Sequence, residues 1–196
     1  MTVYEPREDS FLLQKHVKKL ARGHALDMGT GTGIQALSVY DKVKGVVALD
    51  INPEAVDLVR KSIEKGGIKN MLAYESDLFE GLEKNQDQII ETLRMKEMRF
   101  DTIIFNPPYL PSDEYEDEDT ASYTSGGKQG HELLERFLEN ATKYLKQDGI
   151  ILIVFSSMTD KAMVNRTLKK NHLIFEQLDN EKLFFEELYV YKIWCG

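Results

Sequence analysis

Short apolar runs alternate with longer amphipathic stretches along this chain, and glycine, proline or small polar residues bound most of the runs. Ala25-Leu26-Asp27-Met28 and Val46-Val47-Ala48-Leu49-Asp50 read as strands, as do the weaker run Asn70–Tyr74 and Thr102–Phe105. Ile34–Tyr40 reads as part of the helix after the first strand. After the second strand, Asn52 is placed as an N-cap with Pro53 at the first helical position. Ala55, Val56, Val59 and Ile63 then recur at helical spacing until Gly66-Gly67 ends the pattern. Asn85–Glu97 has the makeup of a charged surface helix with Ile89, Ile90 and Leu93 inward. His131–Lys146 is strongly amphipathic, with Leu134, Phe137, Leu138, Ala141 and Leu145 on one face. Gly149 precedes the most apolar strand, Ile150–Phe155, and Asp160–Lys170 is a further helix. Two strands without a helix between them follow, Leu173–Leu178 and Leu188–Ile193, the later one expected to run antiparallel, inserted beside its neighbours.

Alternating strands and helices imply an α/β fold: a doubly wound, mostly parallel seven-stranded sheet with a C-terminal antiparallel strand. Ligands of such sheets collect at the carboxyl ends of the strands, near the point where the strand order reverses. At 196 residues, with no repeat, low-complexity tract or linker, residues 1–196 read as a single domain.

Asn106-Pro107-Pro108-Tyr109 directly follows the apolar run Phe100–Phe105. The Asn106 side-chain oxygen and the Pro107 carbonyl can both accept hydrogen bonds, and an –NH2 group has two protons to give. The prolines fix φ and remove competing donors, so those acceptors stay where they are aimed. Tyr109 adds an aromatic face for a planar group. The motif points to chemistry on an amide or aminopurine nitrogen; its plainer reading is a strand that ends in a Pro-rich turn.

Asp27-Met28-Gly29-Thr30-Gly31-Thr32-Gly33 lies between the first strand and the first helix. Glycines at alternate positions let a backbone approach a ligand closely. Asp27 before the first glycine suits an ammonium more than a pyrophosphate, and no Lys-Ser/Thr follows, which excludes a P-loop. Asp50 ends the second strand, where a carboxylate can accept both hydroxyls of a ribose. Asp77, in Ser76-Asp77-Leu78-Phe79, is placed to meet an adenine amino group with Leu78 against the ring. Singly, Asp50 and Asp77 read as caps or turn residues; loop, ribose acid and adenine acid in order read as a cofactor site.

Charge and composition narrow the partners. The net charge is −8, with acid concentrated at Asp113–Asp119, which argues against tight binding of nucleic acid. That run, a few residues past Tyr109, is expected to overlook the same mouth and to favour a basic partner. The single cysteine, Cys195, excludes an intrachain disulfide, and His16, His24, His131 and His172 are scattered, so no metal site is expected. No apolar run is long enough to span a bilayer and no basic leader is visible, so the expectation is a soluble, cytoplasmic protein.

Taken together, the Gly-rich loop, the ordered acids and Asn106–Tyr109 resemble class I S-adenosylmethionine-dependent methyltransferases. The segment Tyr4-Glu5-Pro6-Arg7-Glu8-Asp9-Ser10-Phe11-Leu12-Leu13 is similar to the N-terminal signature of HemK-type protein glutamine methyltransferases. Asp50–Ala55 and Gly126-Gly127-Lys128-Gln129-Gly130 are similar to the eukaryotic and archaeal branch, which lacks the N-terminal helical domain of bacterial members. The resemblance implies S-adenosyl-L-methionine as cofactor, with Ser10, Asp27, Gly29, Gly31, Asp50, Asp77, Leu78 and Asn106 lining its pocket. It implies Asn106, Pro107, Pro108 and Tyr109 at the target amide, the glutamine of the Gly-Gly-Gln loop of a class I translation termination (release) factor. It also implies a small zinc-binding activator protein, expected at the edge strand Asn70–Tyr74. Gln129, where relatives often carry Asp or Asn, and Asp27, where Glu is commoner, leave fine substrate preference open. An adenine amino-methyltransferase acting on DNA or RNA shares the Asn-Pro-Pro-Tyr motif, and a protein lysine methyltransferase is a further variant.

Overall fold

A computed structural model describes residues 3–109 and 130–196. Seven strands form one sheet: β1 (His24–Met28), β2 (Gly45–Asp50), β3 (Met71–Glu75), β4 (Phe100–Phe105), β5 (Leu145–Ser156), β6 (Leu173–Lys182) and β7 (Glu187–Cys195). Their order is β3-β2-β1-β4-β5-β7-β6. The first five run parallel, and β7 lies between β5 and β6, antiparallel to both. The expected doubly wound sheet and inserted final strand are therefore present.

Seven helices cover it among the described residues: α1 (Glu8–Leu20), α2 (Ile34–Leu37), α3 (Pro53–Gly66), α4 (Glu80–Lys84), α5 (Gln86–Leu93), α6 (Glu132–Tyr144) and α7 (Lys161–Lys170). Successive side chains of a strand point to opposite faces, so the continuous apolar runs feed two cores. In β5, Ile151, Ile153 and Phe155 join the core under α4–α7, while Ile150, Leu152 and Val154 join the one under α1–α3. Burying each such side chain contributes roughly 1.5–3 kcal/mol.

Several boundaries differ from the sequence expectation. The helix expected over Ile34–Tyr40 stops at Leu37, and the one expected over Asn85–Glu97 spans only Gln86–Leu93. There Arg94 turns left-handed at φ 53° and ends it. Leu145, assigned by periodicity to the helix face, instead opens β5 and pairs with Phe100. Helices α1 and α4 were not foreseen. Asn52 does cap α3, accepting from Glu54 N at 3.0 Å, and Gly67 closes it at φ 59°. The acidic run Asp113–Asp119 and Gly126–Gln129 lie outside the described residues.

The chain reverses direction across the sheet between β1 and β4, which are hydrogen-bonded neighbours. Their carboxyl ends, Met28 and Phe105, mark the switch point where a ligand cleft forms.

Candidate active site

A cleft of about 420 Å3 lies over the carboxyl ends of β1 to β4. Every site residue singled out from the sequence lines it: Ser10, Asp27, Gly29, Gly31, Asp50, Asp77, Leu78 and Asn106 to Tyr109.

The loop after β1 is built on left-handed turns, with Gly29, Gly31 and Gly33 at φ 61°, 54° and 82°. At Gly33 a Cβ would lie 3.0 Å from Val59 Cγ2, so glycine is needed there for conformation and for space. Two acids hold the loop from beneath. Asp27 is buried, and its Oδ2 accepts from Thr30 Oγ1 at 2.7 Å and Ala36 N at 3.1 Å. Asp50 accepts from Gly31 N at 2.8 Å through Oδ2 and from Asn52 N at 2.9 Å through Oδ1. A carboxylate offers about four acceptor positions, so Asp50 keeps capacity beyond its bonds to the protein.

Burial pushes the Asp27 carboxyl up to about 7, against the lowering effect of its Thr30 and Ala36 bonds, and the nearby Asp50 charge adds to the rise. Burial likewise raises Asp50 above the usual carboxylate range, with the Asn52, Gly31 and Ile51 amides opposing it. For Asp27 the linkage has a definite sign. The unfolded chain releases this proton near 3.8, whereas the folded chain holds it until about 7. The stability associated with the protonated acid is complete below the lower value, declines as pH rises through the window, and is gone above the upper one. Raising pH from about 5 to 8 should therefore lower the melting temperature of wild type more than that of Asp27→Asn. Parallel melting curves for the two proteins would contradict this.

Beyond β3, Leu78 is left-handed at φ 47°, a conformation that bulky residues adopt only when their surroundings impose it. Ser76 supplies part of that constraint, accepting from Gly81 N at 2.7 Å while its hydroxyl donates to the Leu78 carbonyl. Asp77 is ion-paired with Arg136 of α6, Nη2 lying 3.2 Å from Oδ1 and 3.0 Å from Oδ2. Both side chains are substantially solvent-exposed, so the pair contributes less than about 1 kcal/mol and yields readily to a ligand.

The Asn-Pro-Pro-Tyr segment leaves the end of β4 and meets the first turn of α1. Asn106 Nδ2 donates to Asp9 Oδ2 at 3.1 Å and to Ser10 Oγ at 3.3 Å. Asn106 Oδ1 is buried and has no hydrogen-bond partner among the described residues. Such an orphaned acceptor costs roughly 1–3 kcal/mol and is placed to receive a donor from outside the protein. Tyr109 is tied down at both ends: its hydroxyl donates to Asp9 Oδ2 at 3.4 Å, and its carbonyl accepts from Thr159 Oγ1 at 3.0 Å. Burial, followed by the Asp9 charge, raises the Tyr109 phenol above its ordinary value, so it acts as a donor and not as a base.

Sequence reasoning missed Arg136 and the part played by Asp9. It also missed the turn between β6 and β7, whose Leu183 and Glu186 reach the cleft. Asp9 lies in the quoted N-terminal signature, but an acid in the first turn of a helix reads as a favourable charge at its positive end.

Residues 8–184 match the family model of the methyltransferase small domain. The chain belongs to this family. It is an S-adenosylmethionine-dependent methyltransferase. A protein of Methanocaldococcus jannaschii provisionally named protein N5-glutamine methyltransferase is 37% identical over 197 residues, covering 98% of this chain and 91% of its own. Methyltransferase HEMK2 of Mus musculus is 28% identical, with 87% and 79% covered. The release factor glutamine methyltransferase of Rhodopirellula baltica is 29% identical over 81% of this chain, which spans only 54% of that protein. Among solved structures, E. cuniculi Mtq2, determined with Trm112 in a complex responsible for methylating the eRF1 translation termination factor, superposes with a TM-score of 0.73. Its identity is 23%, and all of both chains is covered. At that identity the likeness shows the fold.

The residues of this methyltransferase fit the cofactor: a glycine cradle at β1, spare carboxylate acceptors on Asp50 and an apolar wall at Leu78 all line one cleft.

Proposed function

We propose that this enzyme methylates the side-chain amide nitrogen of the glutamine in the Gly-Gly-Gln loop of a class I release factor. The observation that carries the reading is the orphaned Asn106 Oδ1 in the cofactor cleft, an acceptor with no donor among the described residues. In this reading Asp50 takes the ribose hydroxyls, Leu78 lies against the adenine, and Asp77 receives its amino group as Arg136 moves aside. Asp27 faces the ammonium end of the cofactor from beneath the loop.

Bound S-adenosylmethionine supplies a methyl group on positively charged sulfur. The chain's own task is to present a poor nucleophile, since an amide lone pair is delocalised into its carbonyl. Asn106 Oδ1 and the Pro107 carbonyl each accept one proton of the substrate –NH2, orient the nitrogen and favour its pyramidal form. Both bonds strengthen as positive charge builds on nitrogen, which is where stabilisation lowers a barrier. Holding the amide in attack geometry can supply roughly 7–11 kcal/mol. No strong base is needed: the nitrogen's proton becomes acidic only as the N–C bond forms and the C–S bond breaks, and it then passes to water while S-adenosylhomocysteine departs as the neutral thioether.

The runner-up, methylation of an adenine amino group, uses the same motif and is disfavoured by the net charge of −8. Supplying labelled S-adenosylmethionine with a release factor and duplex DNA together separates the two. Label confined to the release factor supports the proposal, and label in the DNA overturns it.

We further propose that a small zinc-binding activator docks at the outer edge of β3, a choice supported by the place of β3 at the end of the sheet. Val46 N bonds to Asn70 O and Ser76 N to Asp50 O, so the alternation of a parallel ladder turns Met71, Ala73 and Glu75 outward. The Arg60 side chain covers part of this edge, donating from Nε to Ala73 O at 3.1 Å. A partner strand replaces that bond when it adds to the sheet. Amide exchange at Met71, Ala73 and Glu75 should slow when the partner is added, and unchanged exchange there contradicts the assignment.

A further inference from the structure

Asp9 is an acid buried in the wall of the catalytic cleft, and nothing in the mechanism above uses it. Five donor groups converge on its carboxylate, and among the described residues none of them is a cation. Tyr4 OH lies 3.1 Å from both oxygens, Ser10 donates through its amide and through Oγ, Asn106 Nδ2 lies 3.1 Å from Oδ2, and Tyr109 OH lies 3.4 Å from Oδ2. A buried carboxylate assembled from neutral donors, two of them from the Asn-Pro-Pro-Tyr segment, is costly unless its orientation serves something.

The service is directional. An asparagine amide has two ends of nearly equal size, one that accepts and one that donates, and rotation by half a turn exchanges them. A carboxylate only accepts, so the end of Asn106 facing Asp9 must be the –NH2. Ser10 completes the lock: its hydroxyl proton is given to Asp9 Oδ1 at 3.1 Å, which leaves Ser10 Oγ to accept the second Asn106 proton at 3.3 Å. With both Nδ2 protons taken, Oδ1 is the end left for a ligand. We propose that Asp9, backed by Ser10, is the positioning residue that fixes the Asn106 amide with its oxygen toward the substrate nitrogen. A flipped Asn106 would meet the substrate –NH2 with its own –NH2, donor against donor.

The inference deepens the glutamine reading and rests on it only for the turnover measurement. Asp9→Asn keeps the shape but can offer its own –NH2 to Asn106, which removes the preference for one orientation. Turnover with release factor should fall about 100-fold, with the S-adenosylhomocysteine Kd and the substrate KM both within about three-fold of wild type. A purely structural role would instead move the melting temperature and both binding constants together. The second readout needs no substrate: proton NMR of the Asn106 side-chain amide, assigned by its disappearance in Asn106→Ala. In wild type both Nδ2 protons should be held and exchange slowly with solvent, and in Asp9→Asn they should shift and exchange faster. If the wild-type protons exchange as fast as those of an exposed asparagine, the proposal falls, whether or not the variant folds. It falls equally if Asp9→Asn leaves turnover or the Asn106 signals unchanged. Should wild type not methylate the release factor at all, the glutamine reading fails while the NMR comparison still decides the role of Asp9.

Discussion

Asn106→Ala should reduce methyl transfer about 1,000-fold while leaving the cofactor Kd within about three-fold of wild type. The split follows from where each atom of Asn106 points. Its Nδ2 is spent on Asp9 and Ser10, and its Oδ1 has no partner within the described protein, so on the proposed reading that oxygen is left for a group that arrives with the substrate. Truncation removes an acceptor whose bond strengthens as the nitrogen becomes positive, and that loss appears in kcat. The fold should tolerate the change, because Asn106 lies past the end of β4 and the cores on either face do not include it. Labelled transfer measured beside calorimetric titration of S-adenosylhomocysteine checks both halves. Turnover within a few-fold of wild type would remove Asn106 from the chemistry.

Asp50→Ala should show the opposite split, with cofactor affinity falling about 100-fold and kcat at saturating cofactor changing little by comparison. Asp50 both anchors the Gly-rich loop, through Gly31 N, and caps the following turn, through Asn52 N. Its loss frees a left-handed loop at Gly31 and, on the proposed reading, removes the carboxylate that takes the ribose hydroxyls. Hydrogen bonds to a charged group contribute about 1.5–3 kcal/mol each, which sets the scale of the expected change. Titration calorimetry reads it directly, and an unchanged Kd would mean that the ribose lies elsewhere.

Much of this architecture was legible because buried parallel strands have to be apolar on both faces. β1, β2, β4 and β5 were visible as short runs for that reason, and β7 was expected antiparallel because no crossover helix precedes it. Helix ends were less legible. Ala141 and Leu145 stand four apart and read as one helical face, yet pairing with Phe100 draws Leu145 into β5. Local periodicity carries no information about which distant strand is available as a partner.

The same limit separates Asp50 from Asp9. Asp50 follows an obvious strand and faces a loop only 19 positions away, so its place in the cleft could be inferred from order along the chain. The partners of Asp9, Asn106 and Tyr109, are 97 and 100 positions away, and only the folded sheet brings them together. Leu78 shows a third case. Its place in the cleft wall was inferred, but its left-handed backbone was not, since leucine gives no local sign of such a conformation.

The most direct test of the central claim is tandem mass spectrometry of a class I release factor co-expressed with this enzyme and the proposed activator. The predicted result is a gain of one methyl located on the side-chain amide of the Gly-Gly-Gln glutamine, absent when Asn106→Ala replaces wild type. An unmodified glutamine, or a methyl found on another residue, would contradict the account.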